Sequence, residues 1–136
     1  MNKRRTYVDA NLLIAAWRGK DEVAEKALSI LDDPFRMLIV SEALWLEIMP
    51  KAIFQEEHRE RAFYEAIFAH ADQCPWKTNV LKSAQDLAQR YGLAAMDAIH
   101  IATAIDAGAD EFISGEKPTK PMFKIKEIKT ISLRDS

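Results

Sequence analysis

The chain has 136 residues, 49% hydrophobic and 29% charged, with 19 Lys and Arg against 21 Asp and Glu and a formal net charge of −2. This is enough apolar mass for one buried core and calls for no second domain; overall charge advertises neither a nucleic-acid binder nor a membrane binder. The lone Cys74 excludes an intramolecular disulfide and fits a reducing compartment, and no run approaches the roughly 20 apolar residues that span a bilayer.

Lys3, Arg4 and Arg5 ahead of LLIAAW resemble a signal peptide only faintly, because Asp9 and Asn11 interrupt the apolar region and no small-residue cleavage site follows. A soluble cytoplasmic protein is expected. A short strand over 6–8 runs into a helix over 10–17, and a second helix over 21–31 carries Val23, Ala24, Ala27, Leu28, Ile30 and Leu31 at helical spacing until Pro34 breaks it. MLIV at 37–40 suits a strand buried on both faces, with Ser41 as N-cap of a helix carrying Leu44, Leu46, Glu47 and Ile48. Pro50 is expected to kink or end that helix.

Residues 56–71 read as a charged amphipathic helix, EEHRER being its solvated face, and CPW at 74–76 as a short strand. A helix over 78–91, capped by Thr78 and stopped by Gly92, precedes the helix AMDAIHIATAIDAG, which Gly108 ends. EFIS at 111–114 and IKTISL at 128–133 read as the last strands. The alternation predicts an α/β fold with three α/β/α layers, a mainly parallel four- to five-stranded sheet flanked by helices, and a single domain over 1–136.

In such open sheets, sites form beyond the carboxyl ends of the strands. Asp9 lies just past the first strand, Glu116 two residues past EFIS, Glu47 in the second turn of the helix after MLIV, and Asp97 at the opening of the helix after Gly92. If that last helix starts at the same edge, four carboxylates face one pocket. Each close pair would repel by about 4 kcal/mol at 4 Å for an effective dielectric near 20. A hard divalent cation would relieve this, and Mg2+ in particular binds through a few carboxylates while keeping waters for substrate phosphates. The inferred chemistry is metal-assisted phosphodiester hydrolysis by a metal-activated water.

YVDANLLI, VSEALWLEI, AMDAIHIATAIDAGAD and FISGEKP together resemble the PIN-domain family, the small nucleases that include the VapC-type toxins of toxin-antitoxin pairs. MDAIHIATA is the most specific of these segments. The resemblance implies a parallel sheet between helices, Mg2+- or Mn2+-dependent RNA cleavage, a homodimer, and an antitoxin peptide partner for toxin members. It implies that Asp9, Glu47, Asp97 and Glu116 form the acidic metal set, with Asn11 and Ser114 at supporting polar positions. The fourth acid of the family is usually an aspartate in a Thr-x-Asp pattern, whereas this chain has Ser114, Gly115 and Glu116.

Structural alternatives stand beside each role. Asp9 and Asp97 would also suit helix caps, Glu42 competes with Glu47 as a first-turn acid, and Glu116 could be a loop glutamate. His100 follows Asp97 by three residues on one helical face, where it could help bind phosphate or transfer protons; a satisfied structural histidine is the commoner case, and it stands outside the set. Six basic residues and one acidic residue lie between 117 and 134, and with Lys3, Arg4 and Arg5 they form two basic ends that either solubilise the chain or face phosphate. Lys117 and Lys120 are the first candidates to receive an RNA backbone. The reading is therefore a ribonuclease; its rivals are a non-cutting PIN-like RNA- or protein-binding module and an aspartyl-phosphate phosphatase, the latter disfavoured because Asn11 stands where a second acid is wanted.

Overall fold

Five strands, β1 (Arg4–Val8), β2 (Arg36–Ser41), β3 (Asp72–Cys74), β4 (Glu111–Ser114) and β5 (Lys129–Ser132), form one sheet in the order β3-β2-β1-β4-β5. Every neighbouring pair is parallel. The computed structural model describes residues 3–135; of the expected domain over 1–136, residues 1, 2 and 136 lie outside the described residues.

The period-two alternation of the strands builds the layers. Tyr7, Ile39 and Phe112 pack on one face against Val80, Leu87 and Ile101. Their neighbours Val8, Val40 and Ile113 pack on the other against Leu12, Leu44 and Tyr64. Helices α1 (Ala10–Arg18), α2 (Glu22–Leu31), α3 (Glu42–Phe54) and α4 (His58–His70) therefore cover one face, and α5 (Thr78–Tyr91) and α6 (Ala95–Asp106) the other. Strands apolar on both sides are what a parallel sheet buried between helices requires.

The chain winds outward from β1 to β3 on one side, then crosses back to place β4 beside β1. The order reverses between β1 and β4, so the crevice beyond their carboxyl ends is the topological switch point of this sheet.

Four local expectations are corrected. Pro50 does not end α3, which continues to Phe54; the proline ring lies on the exposed side while Ile48, Met49 and Ala52 bury the other. The edge strand is Asp72–Cys74 rather than CPW, because Pro75 has no N–H to give to a ladder. Thr78 is the first residue of α5 and caps nothing; Lys77, extended and paired with Asp106 at 3.0 Å, precedes it. Within EEHRER, Glu60 is buried rather than solvated, because Arg18 and the Tyr64 hydroxyl meet its carboxylate. Ser41, by contrast, caps α3 as expected, accepting the Leu44 amide at 3.1 Å. Gly92 closes α5 at φ 70°, a left-handed conformation that glycine adopts without a Cβ penalty.

Candidate active site

Asp9 leaves β1 in extended backbone and caps α1, its Oδ1 accepting the Leu12 amide at 3.0 Å. The capping alternative is thus realised, and it occupies one carboxylate oxygen in a side chain only 5% exposed. Burial pushes this carboxyl from an ordinary 3.8 up to about 6; the Ser114 hydroxyl and the Leu12 amide oppose the rise, and the Asp97 charge adds to it.

Asp97 stands in the first turn of α6, half-buried. Its carboxyl is also raised, first by burial and further by the charges of Glu116 and Glu47, while Lys120 is the main opposing influence. Asp97 therefore stands within electrostatic reach of Asp9, Glu47 and Glu116, which are drawn from three other stretches of chain.

Glu47 comes from the second turn of α3, and its Oε1 is hydrogen-bonded to His100 Nε2 at 2.7 Å. Glu42, its rival, instead accepts the Trp76 amide at 2.9 Å. Glu116 is held by the Asn11 amide and approached by Lys120 Nζ at 4.0 Å, and its backbone amide donates to Ser114 Oγ at 3.0 Å. Ser114 is fully buried, so Asn11 and Ser114 tie the β4 turn to the start of α1. Gly115 makes that turn possible: a Cβ there would lie 3.0 Å from the Asn11 carbonyl oxygen.

Among the described residues no three His, Cys, Asp or Glu side chains stand close enough to enclose a cation as they are placed. Glu47 meets His100, Glu116 meets Asn11, and Asp9 meets the Leu12 amide and Ser114 hydroxyl; Asp9 and Asp97 are the two acids whose carboxyls are raised, in both cases first by burial. The donor set nevertheless fits a hard divalent ion, since every acid offers carboxylate oxygen and Mg2+ commonly takes only one or two protein carboxylates with waters and phosphate completing its shell.

The two basic ends separate. Lys117, Lys120 and Arg134 line a cleft of about 570 Å3 beside Asn11, Gly115 and Glu116. Arg4 and Arg5 lie at the opposite, amino edge of β1, where Arg4 pairs with Glu111 and Arg5 with Asp72. Arg134 was not singled out in the sequence; its Nε donates to the Gly115 carbonyl at 2.6 Å, which brings it to the cleft. His100 was set aside as structural, yet it touches Glu47; its signal was the three-residue spacing from Asp97.

The sequence model of the PIN domain matches residues 6–117. The chain belongs to the PIN-domain family. Among proteins with curated descriptions, none matches this sequence. Among solved structures, the PIN domain resembles a toxin-antitoxin complex from Klebsiella pneumoniae at 24% identity and TM-score 0.72, covering 96% of this chain and 99% of that one. It is similar to VapBC2 from Rickettsia felis bound to a DNA fragment of its promoter, at 10% identity and TM-score 0.69 over 93% and 96% of the two chains. It is also similar to VapC20 from Mycobacterium tuberculosis, a sarcin-ricin-loop-cleaving toxin, at 14% identity and TM-score 0.67 over 91% and 98%. At these identities the likeness establishes a common fold. β5 lies beyond the matched segment and completes the sheet by pairing with β4. No helix among the described residues is long and apolar enough to cross a membrane.

Proposed function

We propose that this PIN domain, working as one unit over 1–136 in the cytoplasm, is a divalent-metal-dependent ribonuclease and the toxin of a toxin-antitoxin pair. The observation that carries the reading is the buried Asp9 carboxyl, raised to about 6 beside Asp97 at the β1/β4 switch point. A buried acid beside a second acid is costly, and a bound cation would relieve that cost.

Asp9 and Asp97 are the direct ligands in this reading, with Glu47 and Glu116 completing the acidic set. Mg2+ or Mn2+ held there would supply the activation of water and the charge stabilisation that phosphodiester hydrolysis needs. The chain's own groups set the stage. The Leu12 amide and Ser114 hydroxyl fix the Asp9 carboxylate, Asn11 and Ser114 fix the Glu116 turn, and Lys117, Lys120 and Arg134 offer positive charge to an RNA backbone along the adjoining cleft. The toxin assignment is supported by family membership together with the toxin-antitoxin complexes that share the fold, and an antitoxin is the proposed protein partner. A homodimer is proposed alongside; exposed Leu46 and Phe54 on α3 are apolar surface suited to cover in an assembly.

The second reading, a PIN module that binds RNA or protein without cutting, draws on one observation: Glu116, longer than the family's usual aspartate, is already held by Asn11 and Lys120. One experiment separates them. Purified protein is incubated with end-labelled structured RNAs, a sarcin-ricin-loop hairpin among them, in Mg2+, Mn2+ or EDTA, beside Asp9→Asn and Asp97→Asn. Metal-dependent cutting lost in both variants upholds the nuclease; RNA binding without metal-dependent cutting upholds the module.

A further inference from the structure

A chain of buried hydrogen bonds runs into the site from the core. Ser41 Oγ and Tyr7 Oη are 2.6 Å apart, Tyr7 Oη and His100 Nδ1 2.7 Å, and His100 Nε2 and Glu47 Oε1 2.7 Å. The first three side chains are at most 3% exposed. They come from β2, β1 and α6, and the chain ends on α3, so elements of the sheet and of both helical layers converge on one carboxylate.

The direction of the chain follows from its two ends. An ionised carboxylate only accepts, so with a neutral imidazole the Nε2–H donates to Glu47 and Nδ1 accepts the Tyr7 hydroxyl proton. Tyr7 oxygen then accepts from Ser41, whose oxygen already receives the Leu44 amide at 3.1 Å. Each group has a partner, and one tautomer of His100 is selected. The Tyr7 ring is independently fixed, stacked on Phe112 at 5.5 Å between centroids with 12° between planes. A phenylalanine would serve that stacking equally; the hydroxyl adds only the link to Ser41 and His100.

We infer that Tyr7 and His100 are positioning residues for Glu47: the Ser41–Tyr7–His100 chain holds the Glu47 carboxylate at the acidic edge in the orientation from which it helps retain the divalent ion. This rests on the metal-site reading above. Groups that hydrogen-bond a metal-site ligand and fix its orientation commonly change metal affinity by about 10–100-fold when removed.

The test is Mn2+ binding by the EDTA-stripped full chain, followed by the electron paramagnetic resonance of free Mn2+, with folding checked by thermal melts. Tyr7→Phe and His100→Phe are expected to weaken Mn2+ binding, His100→Phe by about tenfold or more. In a Glu47→Gln background neither is expected to weaken it further, because the effect passes through Glu47. Thr6→Val removes a comparable buried hydroxyl, bonded to Glu111 at 2.7 Å at the amino edge, and is expected to cost stability without touching Mn2+ affinity. Folded Tyr7→Phe and His100→Phe proteins that bind Mn2+ within about twofold of wild type, or that lose as much affinity in the Glu47→Gln background, overturn the inference. If His100→Phe does not fold, Tyr7→Phe decides alone. A wild type that binds no Mn2+ overturns the metal-site reading and this inference together, whereas tight wild-type binding with unaffected variants overturns only the positioning role.

Discussion

Asp9→Asn removes a charge from a buried position while keeping an oxygen to accept the Leu12 amide, and asparagine ranks with aspartate as an N-cap. The Asp9 carboxyl titrates at about 6 in the fold against an ordinary 3.8. An acid whose folded value is raised destabilises the fold wherever both states are ionised, above about 6, and has no effect where both are protonated, below 3.8. At ~1.4 kcal/mol for each pH unit, that interval amounts to about 3 kcal/mol, part of it shared with Asp97. Without metal, Asp9→Asn should therefore be more stable than wild type by about 2–3 kcal/mol at neutral pH, with the difference shrinking to nothing near pH 4. For a chain of this size that is a rise in melting temperature of about 3 °C for each kcal/mol. Urea unfolding in EDTA at several pH values measures it, and comparing the two proteins cancels the titrating groups that do not interact with Asp9. Mg2+ or Mn2+ at neutral pH should narrow the gap by stabilising the wild type alone. If Asp9→Asn proves equal to or less stable than wild type at neutral pH in EDTA, the electrostatic account of the site is refuted.

Other outcomes follow from the remaining geometry. Arg36→Met would take from Glu111, 1% exposed, its 3.0 Å guanidinium partner and leave it the Thr6 hydroxyl and Arg4 at 3.7 Å, and should cost about 1–3 kcal/mol in urea unfolding. RNA cleavage per folded molecule should stay unchanged, because the pair lies at the amino edge. Lys120→Ala and Arg134→Ala should each weaken RNA binding and lower the steepness of its salt dependence by about one counterion, as read from filter binding across salt concentrations; unchanged slopes would remove the cleft from the RNA path. Gly115→Ala places a Cβ 3.0 Å from the Asn11 carbonyl oxygen and should displace the Glu116 turn, costing about 1–3 kcal/mol in unfolding experiments and a larger share of cleavage.

The carboxylate edge was legible because its logic is one-dimensional. Asp9 and Glu116 follow strands by one and two residues, and strand direction in a parallel sheet carries both to the same edge. Asp97 was legible as a first-turn residue, and Glu47 by its distance from the Ser41 cap. What stayed hidden depends on contacts between distant residues. His100 and Tyr7 are separated by 93 residues and His100 and Glu47 by 53, and periodicity reports that a histidine is buried without reporting what it touches. Glu60 looked solvated within a charged run because its partner Arg18 is 42 residues away on another helix. The basic residues at the start of β1 were ambiguous only until strand direction is followed: a residue at the head of β1 emerges at the edge opposite Asp9, where Asp72 and Glu111 occupy Arg5 and Arg4.

The same contacts explain how four acids coexist at one edge before any cation arrives. The fold gives Glu47 an imidazole, and gives Glu116 the Asn11 amide and the nearby Lys120 ammonium. Those two carboxylates have their own partners, while Asp9 and Asp97 are the two whose carboxyls are raised, first by burial and further by neighbouring acids. On the proposed reading this concentrates cation affinity at that pair, in keeping with an ion that takes few protein ligands and leaves room for water and phosphate. Such a division makes opposite demands on the four residues. Neutralising Asp9 or Asp97 should stabilise the metal-free fold while abolishing metal binding. Neutralising Glu47 should weaken metal binding with a smaller gain in stability than Asp9→Asn gives, because its carboxylate has a partner in His100 while its charge bears on Asp97. Unfolding and Mn2+ titrations on Asp9→Asn, Asp97→Asn and Glu47→Gln measure both quantities, and a Glu47→Gln protein stabilised as much as Asp9→Asn would contradict the division.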